Sequence, residues 1–379
     1  MNLLVKDRDP RRTDVSPGEI VFTTMPLIDD GDGTTEWIIK DSDAKAKVLQ
    51  TPGYPAHTPK PRLPDFYEVR MTPDMGQGVF AKRNIKRGDL VFSERPLLIA
   101  PTWLGRAEDG NKYTTIQNHQ VMMFEFEKVL EVAVQRMPEK ERALFMALYN
   151  SHTADGTGPL LGITRTNAFG ISAISEGRIK TYGAVANLGS RINHRYVIIR
   201  RLSSPMNCEV LTHEIYSCMP NVHYKFEVSS FSFQSTAVRD IEAGEQLFLP
   251  YCQLRRTKAE RQIDLAPYGF SCNCRACVNA TSATDILRKT FKDQILRHDA
   301  WVKQPEWTDD ILLPSALMLE EAMVAEGLDC EPEFFTLLTV IHMSFSRLGK
   351  RPEMVKYKKR VTEYYKIHAN KEAFPFPDI

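Results

Sequence analysis

A chain of 379 residues, 42% hydrophobic and 26% charged, has the composition of a globular protein with one large domain and appendages, or two domains. A formal net charge of +1 excludes the global basic field that nucleic acid or an anionic membrane surface would call for. No apolar run approaches the length of a membrane span, and the N-terminus, Met1-Asn2-Leu3-Leu4-Val5-Lys6-Asp7-Arg8, is charged too early for a secretory signal.

Residues 1–62 alternate short apolar pieces such as Glu19-Ile20-Val21-Phe22 with turn clusters, Asp29-Asp30-Gly31-Asp32-Gly33 and Thr51-Pro52-Gly53-Tyr54-Pro55. They read as a partly disordered N-terminal extension. From residue 63 the texture is that of short strands. Tyr67-Glu68-Val69-Arg70-Met71 alternates, Gly76-Gln77-Gly78 turns, Val79-Phe80-Ala81 extends, and Leu90-Val91-Phe92-Ser93-Glu94 is ended by Pro96. Such spacing predicts a compact β fold and not a doubly wound sheet.

A helical insert is predicted at about residues 102–165. Val121, Phe124, Val129, Val132 and Ala133 fall near one face, and Pro138 opens a second helix with Ala143, Leu144, Met146 and Leu148. Strand texture returns over residues 168–186, 222–228 and 230–233, and residues 237–248 read as strand, turn, strand. From about residue 281 the chain turns helical. One helix, capped by Asp309 or Asp310, runs to Gly327; the next opens at Pro332 and ends at Gly349; the last opens at Pro352.

Seven cysteines stand at positions 208, 218, 252, 272, 274, 277 and 330. Cys272, Cys274 and Cys277 offer three thiolates from one loop, which suits a metal in a reducing compartment better than a disulfide framework. An intracellular location follows, nuclear or cytoplasmic. Lys82-Arg83 and Lys86-Arg87 are too short to read as import signals. Tetrahedral zinc needs a fourth ligand, for which Cys218 and Cys252 are the candidates. Four sulfurs close the coordination shell, so the site reads as structural.

Gly76-Gln77-Gly78-Val79-Phe80-Ala81, Asn193-His194, Ser217-Cys218-Met219-Pro220-Asn221, Gly244-Glu245-Gln246-Leu247-Phe248-Leu249-Pro250-Tyr251 and Phe270-Ser271-Cys272-Asn273-Cys274-Arg275-Ala276-Cys277 follow one another in that order. Together they resemble a SET domain with its cysteine-rich post-SET tail, the fold of protein lysine methyltransferases. The helical insert, the stretch around Asn167 and the helical tail are most similar to the SET-and-MYND class. The MYND finger itself is missing, since residues 101–160 hold no cysteine.

The resemblance implies an α+β fold of small sheets threaded as a pseudoknot. The SET domain would occupy residues 63–265, the zinc-binding post-SET loop 266–280, and an α-helical C-terminal region 281–379. It implies S-adenosyl-L-methionine as cofactor, structural Zn²⁺, and as partner a protein with an accessible lysine. No direct nucleic acid or membrane partner and a monomeric state are expected. Gly76, Gln77 and Gly78 match the turn along the methionine part of the cofactor. Asn167, Asn193 and His194 match cofactor-contacting residues, and Phe270 the aromatic that packs on adenine. Tyr251 matches the hydroxyl at the mouth of the transfer channel, and Cys218 the fourth zinc ligand, which leaves Cys252 as a buried apolar thiol.

Residues 195–216 interrupt this pattern. Without them the chain reads Arg-Ile-Asn-His-Ser-Cys-Met-Pro-Asn, the intact family signature. Arg195-Tyr196-Val197 can be coded with the donor GTATGT, Leu211-Thr212 with the branch point CTAAC, and Tyr216-Ser217 with an acceptor TACAG, so the insertion reads as a retained intron of fungal type. Two functions are therefore carried forward: methyl transfer to a protein lysine, and a catalytically silent SET scaffold. A zinc-dependent nucleic-acid module is the third and weakest, because the charge is balanced and there is one cysteine cluster.

Overall fold

The computed structural model describes residue 13 and residues 19–27, 30–40, 42–73, 76–102, 114–171, 173–174, 182–193, 218–268, 271–304 and 309–369. The interrupting segment 195–216 and two of the expected cofactor residues, His194 and Phe270, lie outside the described residues.

Strands β1 (Val21–Met25) and β2 (Thr35–Ile39) lead into helix α1 (Ser42–Leu49). β3 (Tyr67–Met71), β4 (Gln77–Ala81), β5 (Leu90–Glu94) and β6 (Leu98–Pro101) follow. Helices α2 (Thr115–Arg136), α3 (Glu139–Met146) and α4 (Pro159–Asn167) precede β7 (Ala168–Ile171) and β8 (Tyr182–Val185). After β9 (Val222–Glu227) and β10 (Ser232–Ala237) the chain is helical. It forms α5 (Lys258–Leu265), α6 (Arg275–Val278), α7 (Ser282–Val302), α8 (Asp309–Ala325), α9 (Phe334–Arg347) and α10 (Arg351–Ala369). The described strands form sheets of five, three and two strands, so the fold is α+β with small sheets and a helical C-terminal region.

Two compact units are each assembled from three separate stretches. One comprises residues 1–62, 90–191 and 224–235, the other 63–89, 192–223 and 236–379. In the first, the five-stranded sheet runs β1-β2-β6-β8-β7, with β2 parallel to β6 and its other neighbours antiparallel. Its central strands are buried on both faces. Alternation at period two sends Phe22, Ile38, Leu98 and Val185 to one core, shared with Leu130 and Ala133 of α2. Val21, Trp37, Ile99 and Ala184 go to the opposite core, with Phe231 and Phe233. Residues 19–62, expected as a loosely packed extension, thus supply two strands and part of both cores. Their pieces are short and separated by turns. What buries them is pairing with Leu98 and Ile99, far along the chain.

Thr114 and Gln117 form a reciprocal capping box that starts α2. The buried face of α2 is Glu127, Leu130 and Val134 with Val129 and Ala133, and here the predicted stripe needs correction. Phe124 is 65% exposed, with the Lys128 ammonium 5.6 Å from its ring, and Met146 of α3 is 49% exposed. A helix advances 100° per residue, so Phe124, six residues before Leu130, stands about 120° round the helix from it, beyond the edge of the buried arc. The Glu127 carboxylate accepts the amides of Leu160 and Leu161 at 2.9 and 2.8 Å, closing the start of α4.

In the second unit β3 and β4 pair as a hairpin, with Arg70 opposite Gly78. The predicted strand-turn-strand over 237–248 is realised as the end of β10, a turn at Gly244 (φ +85°) and isolated bridges from Ile241, Gln246 and Phe248. α7 to α10 enclose a third core that includes Phe291, Leu337, Ile341 and Tyr364. α8 and α9 end at Gly327 and Gly349 (φ +67° and +66°), where the sequence predicts their ends.

Candidate functional site

Three segments of the second unit meet in a hydrogen-bonded frame. Gly76 turns the hairpin with φ +66°, and its carbonyl accepts from both the amide (2.6 Å) and the hydroxyl (2.9 Å) of Thr72. The Asn193 Nδ2 donates to the Gln77 carbonyl at 3.0 Å, tying this turn to the signature segment. Asn193 also bridges Phe248 in parallel, and its carbonyl accepts from the Leu249 amide at 3.2 Å. Asn221, fully buried, completes the frame. Its Nδ2 donates to the Gln246 carbonyl at 2.8 Å, and its Oδ1 accepts from the Phe248 amide at 2.7 Å. In the sequence Asn221 stands inside a motif with no role of its own, since a stitch of this kind is seen only once both segments are adjacent.

The turn has room for an added side chain at one glycine and not at the other. A Cβ on Gly76 would meet nothing within 4 Å, whereas a Cβ on Gly78 would lie 2.5 Å from the Gln246 Nε2 and 3.0 Å from Phe80 and Thr72. Gly78→Ala is therefore expected to lower stability by about 1–3 kcal/mol through overpacking, read as a shift of the urea midpoint. An unchanged midpoint would mean that the Gln246 amide swings aside without loss.

Tyr251 follows the same segment. Its hydroxyl donates to the Ile192 carbonyl at 3.1 Å, one residue before Asn193. Its ring lies 5.0 Å from that of Tyr268, inclined by 50°. Burial, and next the neighbouring Tyr268, hold the Tyr251 hydroxyl well above its ordinary pKa, so it stays neutral. It can orient and accept hydrogen bonds, but it does not serve as a base near neutral pH.

The cysteines gather in the same unit. Cys218, Cys272, Cys274 and Cys277 are all buried, with every pair of sulfurs within 4.8 Å. Cys218 Sγ stands 3.8 Å from Cys272 Sγ and 3.5 Å from Cys277 Sγ. A disulfide requires about 2.05 Å, whereas zinc at about 2.3 Å from each sulfur sets tetrahedral edges of about 3.8 Å. The spacing fits the metal. Cys218 occupies the fourth corner, and Cys252, expected as a buried thiol, is only half-buried and packs against the same core outside the group, where solvent reaches part of it.

α5, a helix not among the sequence expectations, braces this loop. Gln262 donates to the Cys272 carbonyl at 2.7 Å and accepts its amide at 2.9 Å, while Arg261 reaches Cys277. The signal is present in the sequence, because Thr257 and Glu260 form a capping box three residues apart.

Asn167 belongs to the first unit. Both of its Nδ2 hydrogens are engaged, on the carbonyls of Tyr149 and Ile163 at 2.7 Å each. A ligand contact from this side chain would have to use Oδ1. Glu94, which no local pattern singles out, accepts the amides of Leu188 (2.8 Å) and Gly189 (2.6 Å) and the Tyr224 hydroxyl (2.9 Å), fixing the turn that leads into Ile192. A second group with metal-like composition, Asp30, Asp32 and His57, is already an ion-pair knot. Arg95 takes both oxygens of Asp30, and Lys60 and the Thr58 amide take those of Asp32.

A family model described as "SET domain" matches residues 76–252. The chain is 29% identical over 214 residues to "Histone-lysine N-methyltransferase set5" of Schizosaccharomyces pombe, covering 56% of this chain and 50% of that protein. It is 35% identical over 98 residues to "Protein-lysine N-trimethyltransferase SMYD5" of Gallus gallus, covering 25% of this chain and 23% of that one. The matches span half or less of the length of these relatives. No helix among the described residues is long and apolar enough to cross a membrane. The frame at residues 76–78, 192–193 and 246–251 lies within the stretch that matches the SET-domain model, and the chain is similar in part to proteins named as lysine N-methyltransferases.

Proposed function

We propose that the chain transfers a methyl group from S-adenosylmethionine to the amine of a protein lysine, with zinc held as a structural ion by Cys218, Cys272, Cys274 and Cys277. The observation that carries this reading is the frame itself: Asn193 bonded to Gln77, bridged to Phe248, and one residue from the carbonyl that holds Tyr251. The open face at Gly76 supports Gly76, Gln77, Gly78 and Asn193 as the residues that hold the cofactor. His194 and Phe270 are proposed to complete its contacts.

When bound, S-adenosylmethionine supplies an electrophilic methyl group on a sulfonium. The protein's task is placement of the amine, because an in-line displacement gains most from near-attack geometry. Lysine is protonated in water, with a pKa of about 10.4, and burial beside a positive charge favours its neutral form. The Tyr251 hydroxyl gives its hydrogen to Ile192, so toward the substrate it is an acceptor. It receives an N–H of the amine and turns the nitrogen lone pair toward the reaction axis.

The Schizosaccharomyces pombe relative is named for histone lysine and the Gallus gallus relative for protein lysine. A lysine of a histone or of another protein is the substrate class proposed. The four thiolates point to a reducing, intracellular compartment. Residues 195–216 favour a second reading, a catalytically silent scaffold, because they divide Asn193 from Cys218. Calorimetric titration of S-adenosylmethionine into the full chain and into a chain lacking residues 195–216 tests both. Binding by the shortened chain alone assigns the activity to that form. Equal binding makes the insertion a tolerated loop, and binding by neither gives the scaffold reading the lead.

A further inference from the structure

Arg261, on α5, is 0% exposed. Its guanidinium donates to the carbonyls of Arg256 at 2.7 Å and Ala276 at 3.3 Å, and to Cys277 Sγ at 3.4 Å. Among the described residues no carboxylate pairs with it, in contrast to the buried Arg288, which pairs with Glu326 at 2.8 Å. A guanidinium keeps its charge at any working pH, and a buried charge needs an opposite one. The anions within reach of Arg261 are sulfurs.

The need is mutual. Four thiolates around one Zn²⁺ leave a net charge of two minus in a core built from Leu254, Leu265, Phe291 and Ile295. Hydrogen bonds from backbone temper that charge only in part; one of them is the Cys218 amide on Cys274 Sγ at 3.4 Å. A guanidinium against Cys277 supplies a full opposite charge and draws electron density from the sulfur, which makes it a poorer nucleophile toward protons and chelators.

We propose that Arg261 is the counter-ion of the zinc–thiolate centre, a positioning residue whose charge against Cys277 helps keep the metal in place. This rests on the reading of the cysteine cluster as a zinc site. It divides the work on α5: Gln262 holds the backbone of Cys272, and Arg261 balances the charge at Cys277.

The test uses the full chain. Zinc per chain is measured by elemental analysis, and release is then followed with excess 4-(2-pyridylazo)resorcinol. Wild type is expected to hold one zinc. Arg261→Gln, which retains hydrogen bonding without charge, is expected to release it about 10–100-fold faster. Arg261→Lys, which retains charge without the planar fork, stays within about threefold of wild type. Wild-type release from Arg261→Gln, or release from Arg261→Lys as fast as from Arg261→Gln, overturns the proposal. Should Arg261→Gln fail to fold, Arg261→Lys decides alone: zinc retained at near the wild-type rate supports it, and zinc lost overturns it. A wild type without zinc removes the zinc reading itself, an outcome distinct from a zinc-loaded wild type that is indifferent to Arg261.

Discussion

Tyr251→Phe is expected to bind S-adenosylmethionine within about threefold of the wild type and to lose methyl transfer by roughly 10²–10³-fold, the scale of removing one preorganised polar contact from a reacting centre. The reason lies in what the substitution leaves in place. Phenylalanine keeps the ring packed 5.0 Å from Tyr268, so the wall of the site stands. It removes the hydroxyl held on the Ile192 carbonyl at 3.1 Å and so the acceptor proposed for the lysine amine. The loss of that hydrogen bond costs about 1–3 kcal/mol in stability, which a thermal melt reads separately from activity. Binding by calorimetry and transfer to a lysine peptide from labelled cofactor check the two halves. Transfer unchanged in the variant would reduce Tyr251 to a packing residue with a backbone partner.

Metal removal should have the larger effect on folding. Cys274→Ser is expected to hold less than about a tenth of the wild-type zinc and to melt at least about 10 °C lower. Structural zinc contributes apparent free energies of about 10–16 kcal/mol in small domains. A loss of only ~5 kcal/mol, at about 2–4 °C for each kcal/mol in a large domain, already moves the melting point by that much. The effect should reach beyond the loop. The four sulfurs share their core with Phe291 and Ile295 of α7 and with Leu337 and Ile341 of α9, so an unfilled cluster leaves polar thiols inside the C-terminal helices. Elemental analysis and calorimetric melting, with chelated wild type beside the variant, check the expectation. Equal melting of zinc-loaded and chelated protein would remove the metal from the stability of the fold.

Both expectations draw on residues whose chemistry is legible in the linear chain. The order of five short motifs implies the SET domain, and a cysteine triplet implies the metal. Gly327 and Gly349 end helices as local chemistry requires, because only a residue without Cβ adopts that turn freely. These are features whose cause lies within a few residues of chain, in a turn, a cap or a chelating loop, and for them spacing is sufficient.

Other features depend on partners distant in sequence. Cys218 and Cys252 are equal candidates by ligand chemistry. Only the folded chain brings the Cys218 sulfur within 4.8 Å of the triplet and leaves Cys252 outside. Phe124 fits a helical stripe, but which stripe is buried depends on where α2 packs, and Phe124 faces away. Asn167 carries a motif that does not show both of its donor hydrogens consumed by Tyr149 and Ile163. Arg261 reads as one more charge on a polar segment, whereas its guanidinium is buried against sulfur. The family resemblance, the clustered cysteines of one loop and the helix ends follow from the order of residues along the chain, because they rest on local spacing and on backbone freedom. That the strands at 21–25 and 35–39 are core, which cysteine closes the cluster and which arginine faces it follow from the three-dimensional arrangement, because burial and charge pairing are settled by segments that meet only when the chain is folded.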